Sequence, residues 1–369
     1  MAIDKVTSAA ITDGTITSSD LASGTIENQS AFKNIIINGD MSLAQRGTSA
    51  SSLTGSGYNT VDRFRTNMSS AGTWTQSQST TVPSGQGFST SLKMDCTTAD
   101  GSLSAGDYLI IDQRVEGQNL QYLKKGTSSA ESTTISFWVR SNKTGTYIVA
   151  LNDNDNSRYI ANSYTISSAD TWEKKTITFA GDTTGAFDND TGASLKVQFW
   201  LAAGTTYTSG TLATSWESAT NANQAVGQVN LADSTSNEWY ITGVQLEAGT
   251  SASDFEFLPF DVNKRRCERY YMDLGSCTGS AYSSTNGMIW SIQFPVETRA
   301  TPTVSFSYSG TANRIYRIEN GATSDFTSPT IFKTTKGIQQ MYSSGTPASG
   351  WANTEGRGFI SSWVIESEL

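Results

Sequence analysis

The chain has 369 residues and a mass of 39.6 kDa, long enough for two or three domains. Only 16% of it is charged, while Ser and Thr supply 102 positions, a composition that suits exposed β-structure and disfavours a helical bundle. It has no histidine and a net charge of −9, which excludes His-dependent triads, imidazole bases and His-ligated zinc, and argues against nucleic acid as a partner. Cys96, Cys267 and Cys277 are an odd number without metal-like spacing, so they read as inert thiols from a reducing compartment. No apolar run has the length of a membrane span, and the first residues lack the pattern of a signal peptide.

In chain order, residues 1–31 come first. Val6, Ile11, Ile16, Leu21 and Ile26 recur every fifth position between polar spacers, a period that fits neither helix nor strand. One apolar residue in five builds no core in one chain, whereas three copies wound together could bury the column. This segment is expected to be a thin stalk or anchor that orders only with partner chains, with a flexible Ser/Thr/Gly leader as the alternative. From Phe32 the texture changes to short strand candidates separated by turn residues, at 34–38, 108–115, 133–140, 147–151, 172–179, 195–201 and 239–246. Without βα alternation they predict an antiparallel sandwich or jelly roll over 32–258, with 49–57 and 205–224 as surface loops at its ends. Leu258-Pro259-Phe260 marks a boundary. Residues 259–369 then carry one short helix at 262–272 and strand candidates at 287–294, 303–308, 313–318, 337–342 and 358–365, a smaller C-terminal β-domain. The basic run Lys264, Arg265, Arg266 and Arg269 reads as a solvated helix face rather than a polyanion site.

Several motifs stand in one order. They are Asn34-Ile35-Ile36-Ile37-Asn38-Gly39-Asp40-Met41, Ala44-Gln45-Arg46-Gly47, Thr60-Val61-Asp62-Arg63-Phe64, Glu116-Gly117-Gln118-Asn119, Ile135-Ser136-Phe137-Trp138-Val139, Gly243-Val244-Gln245-Leu246-Glu247, Cys267-Glu268-Arg269-Tyr270-Tyr271 and the closing Glu368-Leu369. In this order they resemble the tail-fibre and receptor-binding proteins of bacteriophages, marine ones especially. The resemblance implies a jelly roll similar to carbohydrate-binding modules, a smaller C-terminal β-domain, a trimeric fibre on the virion, and a host surface glycan as partner. It also implies a structural calcium where the module's ends meet. Asn38 and Asp40 are the residues in place for it, although the closing strand lacks the usual acidic pair, and a turn-capping Asp40 is the alternative.

Strand alternation selects site residues. Ile135, Phe137 and Val139 share one face and leave Ser136, Trp138 and Arg140 on the other, while Val197, Phe199 and Leu201 leave Gln198 and Trp200. Trp138, Arg140, Gln198 and Trp200 are therefore expected to form one outward patch, either a sugar site built on aromatic faces or a region covered by a loop or a subunit. Tyr282 and Trp351 are the corresponding candidates on the loops of the C-terminal domain. No catalytic residue is expected. Asp153, Asp155, Asp188 and Asp190 could be read as hydrolase carboxylates, but each stands among turn residues. The expected function is glycan recognition without cleavage. A capsid decoration protein, and after it a glycan hydrolase or esterase, are the alternatives.

Overall fold

The computed structural model describes residues 32–283, 287–289, 291–317, 323–325, 329–343 and 357–369. The five-residue repeat and Trp351 lie outside them. The first unit is a jelly-roll sandwich of thirteen strands: β1 (Ser49–Leu53), β2 (Gly57–Tyr58), β3 (Arg65–Ser69), β4 (Thr73–Ser79), β5 (Ser91–Thr98), β6 (Tyr108–Glu116), β7 (Thr133–Ser141), β8 (Gly145–Asp153), β9 (Arg158–Ile166), β10 (Glu173–Phe179), β11 (Ala193–Ala203), β12 (Glu217–Ser218) and β13 (Glu238–Ala248). The first sheet runs β1-β4-β5-β13-β7-β10 and the second β12-β9-β8-β11-β6-β3-β2, all pairs antiparallel. The chain changes sheet eight times, after β1, β3, β5, β6, β7, β9, β10 and β12.

The core between the sheets follows the alternation. Ile135, Phe137, Val139, Val197, Phe199 and Leu201 are buried in it, and Phe137 meets Tyr164 and Phe199 edge to face at 5.1 Å. Residues 34–38, expected to be a strand, are irregular instead. Asn34 Oδ1 accepts from Ile36 and Leu246 backbone amides, and Asn38 adopts φ 59°, so local side-chain bonds replace a ladder. The 205–224 segment is not an end loop: it folds over the outer face of the second sheet. Residues 49–57 contain β1, which pairs with β4.

The helix runs over Phe260–Glu268, shorter than the sequence predicts, because Tyr271–Asp273 leave it to pair with the Ser362–Glu366 strand. The C-terminal unit is all antiparallel β, with a small core of Met272, Phe294, Phe306, Ile315, Ile338, Ile360, Trp363 and Ile365. Among the described residues no helix is long and apolar enough to cross a membrane.

The two units meet in a buried, charged seam made largely of the motif residues. Arg63, 0% exposed, pairs through Nη1 with Glu368, donates from Nη2 to the Arg114 carbonyl at 2.6 Å, and lies 3.5 Å over the Tyr270 ring. Arg46 bridges Glu366 and Glu368 at 3.0 and 3.2 Å and stacks 3.6 Å over Tyr271. Gln45 ties Asp62 Oδ2 at 2.7 Å to the Tyr271 carbonyl at 2.9 Å. Arg299 donates to the Ser367 and Glu368 carbonyls.

Glu116 anchors the opposite edge of the seam, accepting two 2.7 Å bonds from Arg269 and one from the Tyr270 hydroxyl at 2.5 Å. Burial alone would push its carboxyl up, but these hydrogen bonds, with the charges of Arg269 and Arg63, outweigh it and hold the carboxyl below its ordinary value. A value lowered by folding means stability present above the unfolded value of 4.5 and lost as pH falls through the folded one. Glu116→Gln is therefore expected to cost about 2 kcal/mol at neutral pH. The gap from wild type should close as the medium is acidified below the unfolded value, read from urea unfolding in each buffer.

Candidate functional site

The outer face of the first sheet carries an aromatic cleft. β7 sets Trp138 outward between Lys174 of β10 and Thr242 of β13. A bulge interrupts β13 between Thr242 and Gln245, and Gly243 takes φ +62° there. A Cβ at Gly243 would stand 2.5 Å from the Phe88 ring, so the glycine makes the room into which Phe88 is set. Phe88 meets Phe255 and Phe257 at 5.1 Å each, and those two rings meet at 4.9 Å. Phe257 is 52% exposed. Phe88 is buried and Phe255 half-buried behind it, so Phe257 is the ring of the three that stands open at the mouth of the cleft.

The cleft has a volume of about 330 Å³, within the usual size of small-ligand sites. Gln86, Ser136, Lys174 and Asp254 join the rings in lining it. Among the described residues the Lys174 ammonium and the Asp254 carboxylate have no ion-pair partner within 4.0 Å, so both keep hydrogen-bonding capacity for a ligand. Flat apolar faces flanked by unspent polar groups are what a polyhydroxylated ring requires.

The four-residue patch expected from the sequence is not one patch. Trp138 and Arg140 lie on β7 of the first sheet, and Gln198 and Trp200 on β11 of the second, so the pairs point away from each other on opposite sides of the sandwich. Trp200 is 1% exposed: its indole donates to the Tyr159 hydroxyl at 2.9 Å, and the 205–224 segment packs Tyr207 against it at 5.4 Å. Gln198 is buried beside Asp112 and Ala150. Arg140 is already engaged, 2.9 Å from Asp170 and 5.0 Å over the Tyr240 ring. Of the four, Trp138 alone lines an open cleft. The strand Cys277–Ser283 contains Tyr282, whose side chain lies outside the described residues, as does Trp351 altogether.

Asn38 and Asp40 do not fit a hard cation. The Asn38 amide is spent on the backbone, donating to Leu43 and Asp62 carbonyls at 2.9 and 3.0 Å and accepting from the Leu43 amide at 3.0 Å. Asp40 accepts from Asn263 at 3.2 Å, and no group of three metal-ligating carboxylates or thiols occurs among the described residues. The acidic loop residues are structural as well. Asp153 is buried against Lys125 at 2.5 Å and caps the amides of Asp155 and Asn156, Asp155 accepts from the Asp188 amide, and Asp190 from the Gly192 amide.

Phe88, Phe255 and Phe257 were not selectable by strand alternation, since none lies in a strand. The signal available was density: Phe255, Phe257 and Phe260 crowd a boundary segment where apolar rings have no core to enter.

The chain matches no family model and no curated protein. Solved structures overlap it loosely. The enzymatically active domain of tailspike protein 4 of bacteriophage CBA120 aligns over 59% of this chain and 22% of its own, at 13% identity and TM-score 0.32. A carbohydrate-binding module, TmCBM61, in complex with β-1,4-galactotriose aligns over 58% of this chain and 98% of its own, at 10% and 0.30. A family 11 carbohydrate-binding module from Clostridium thermocellum in complex with a mixed-linked tetrasaccharide aligns over 56% and 97%, at 13% and 0.27.

Proposed function

We propose that the chain is a non-enzymatic fibre protein of a phage virion that recognises a host surface glycan, with Trp138 as the principal stacking residue. In this reading residues 1–31 hold three copies together and meet the tail or capsid. The observation that carries it is the open cleft in which Trp138, Phe88 and Phe257 stand beside the unpaired Lys174 and Asp254. The motif order that resembles phage tail-fibre proteins supports the setting. The use of the Asp153, Asp155 and Asp190 carboxylates in turns and a buried ion pair weighs against the hydrolase alternative.

The test is a glycan-array screen of the full chain followed by titration of the best ligand. Trp138→Ala is expected to weaken binding by about 1 to 3 kcal/mol, the usual loss at a stacking aromatic, while light scattering still gives a trimer mass. Unchanged affinity removes Trp138 from the site. Loss of the trimer would make it a subunit contact instead.

A further inference from the structure

A second cleft, of about 460 Å³, opens at the seam between β6, the Gln121–Leu123 turn, residues 32–37 and the Phe260–Glu268 helix. Three guanidiniums line it, from Arg114, Arg266 and Arg269. The basic run that reads as a solvated face in the sequence thus turns two of its members into a cleft wall. Their counter-charges can be followed among the described residues. Arg269 is matched by Glu116, two bonds of 2.7 Å. Arg114 donates from Nη1 to the Leu369 oxygen at 2.9 Å and shares with Arg65 one carboxylate, that of Asp112, at 3.5 and 3.4 Å, while its buried Nε makes no hydrogen bond. Arg266 has no carboxylate within 4.0 Å; it donates from Nη2 to the Asn34 carbonyl at 3.2 Å. The charge of the neighbouring Glu256 reaches Arg266, but its oxygens accept from the backbone amides of Phe32 and Asn34.

The wall therefore carries more positive than negative charge. An arginine stays ionised at any ordinary pH, so Arg266 keeps at the cleft wall a guanidinium that no carboxylate pairs directly, and a ligand carboxylate could take that place. Lys196, which pairs in register with Arg114 on the adjoining strand, reports the same surplus: burial first, and then Arg114, lower its ammonium more than Asp112 restores it. At the rim Tyr122 is 49% and Phe32 60% exposed, two rings whose faces are open to an apolar sugar face.

We infer that this cleft binds the carboxylate of an acidic saccharide, with Arg266 as its counter-ion and Tyr122 under the sugar ring. A guanidinium presents two parallel donors to a carboxylate, and neutral sugars offer nothing to compensate that charge. The class of ligand rests on the saccharide reading above, but the site is a different one.

The test is calorimetric titration of the full chain with uronate oligomers (galacturonate, mannuronate, guluronate) beside neutral hexose oligomers of equal length. At least one uronate oligomer is expected to bind, and Arg266→Gln to weaken it about tenfold or more, as loss of a hydrogen-bonded charge should. Tyr122→Ala, at an exposed position on which the fold does not depend, should weaken it as well, and Trp138→Ala should leave it unchanged. Absence of uronate binding overturns the inference, even where neutral oligomers bind through Trp138. So does uronate binding that survives both Arg266→Gln and Tyr122→Ala. Uronate binding without any neutral ligand at Trp138 keeps this inference and removes the earlier one.

Discussion

Replacing Glu368 by Ala should cost about 3 to 5 kcal/mol of folding stability, the usual result of removing one partner from a buried ion pair. Arg63 is fully buried, and Glu368 neutralises it while also holding Arg46. The variant leaves Arg63 in the seam without an ion-pair partner, compensated by the Arg114 carbonyl, the Tyr270 ring and the more distant charge of Glu116. The expected reading is a large drop in the urea midpoint with little change of slope. The cycle with Arg63→Met should show strong coupling, the double variant being less unstable than the sum of the singles. A loss of about 1 kcal/mol or less for Glu368→Ala would mean that water reaches the seam and screens it as it does at a surface pair.

Trp200→Ala and Trp138→Ala should separate cleanly, although strand alternation sets both residues outward. Trp200 fills a second core beneath the 205–224 segment, with Ile110, Ile148, Tyr159 and Ala213 around it. Its truncation removes a large packed ring and the hydrogen bond to Tyr159, and is expected to cost about 3 to 5 kcal/mol. Trp138, on an open cleft, should cost about 1 kcal/mol or less. Thermal and urea unfolding of the two variants check the contrast. Equal losses would mean that Trp138 too is covered, and would remove it as a ligand platform.

How far the fold could be read from the sequence depended on what filled each strand. In β7 and β11 the period of two selects inward residues that are the ones in the core, whereas in β13 the bulge after Thr242 shifts the core positions from Trp239 and Ile241 to Val244 and Leu246. β4 shows no such apolar period. Its sequence Thr73-Trp74-Thr75-Gln76-Ser77-Gln78-Ser79 looks like a hydroxyl-rich loop, yet Gln76 is buried, bonded to Thr60 and Thr66, so a polar side chain holds a core position that pattern reading discards. Residues 34–38 fail in the opposite sense, for an apolar run there is wedged between β13, Gln113 and the helix without joining a ladder. Alternation also fixes a side chain's face but not its sheet. Trp138 and Trp200 were thus legible as outward residues, while their placement on opposite sides depends on the crossing between β7 and β11, to which no local signal corresponds.

The Arg63–Glu368 pair spans 305 residues of sequence. A chain interrupted between Ala248 and position 368, by a nonsense codon or a protease, retains every strand of the jelly roll and still encloses a guanidinium without its ion-pair partner. Such fragments should be poorly stable and quickly degraded, so that the seam works as a completeness check. In an assembly that takes up many copies of one subunit, only molecules that carry the distal unit would survive to be incorporated.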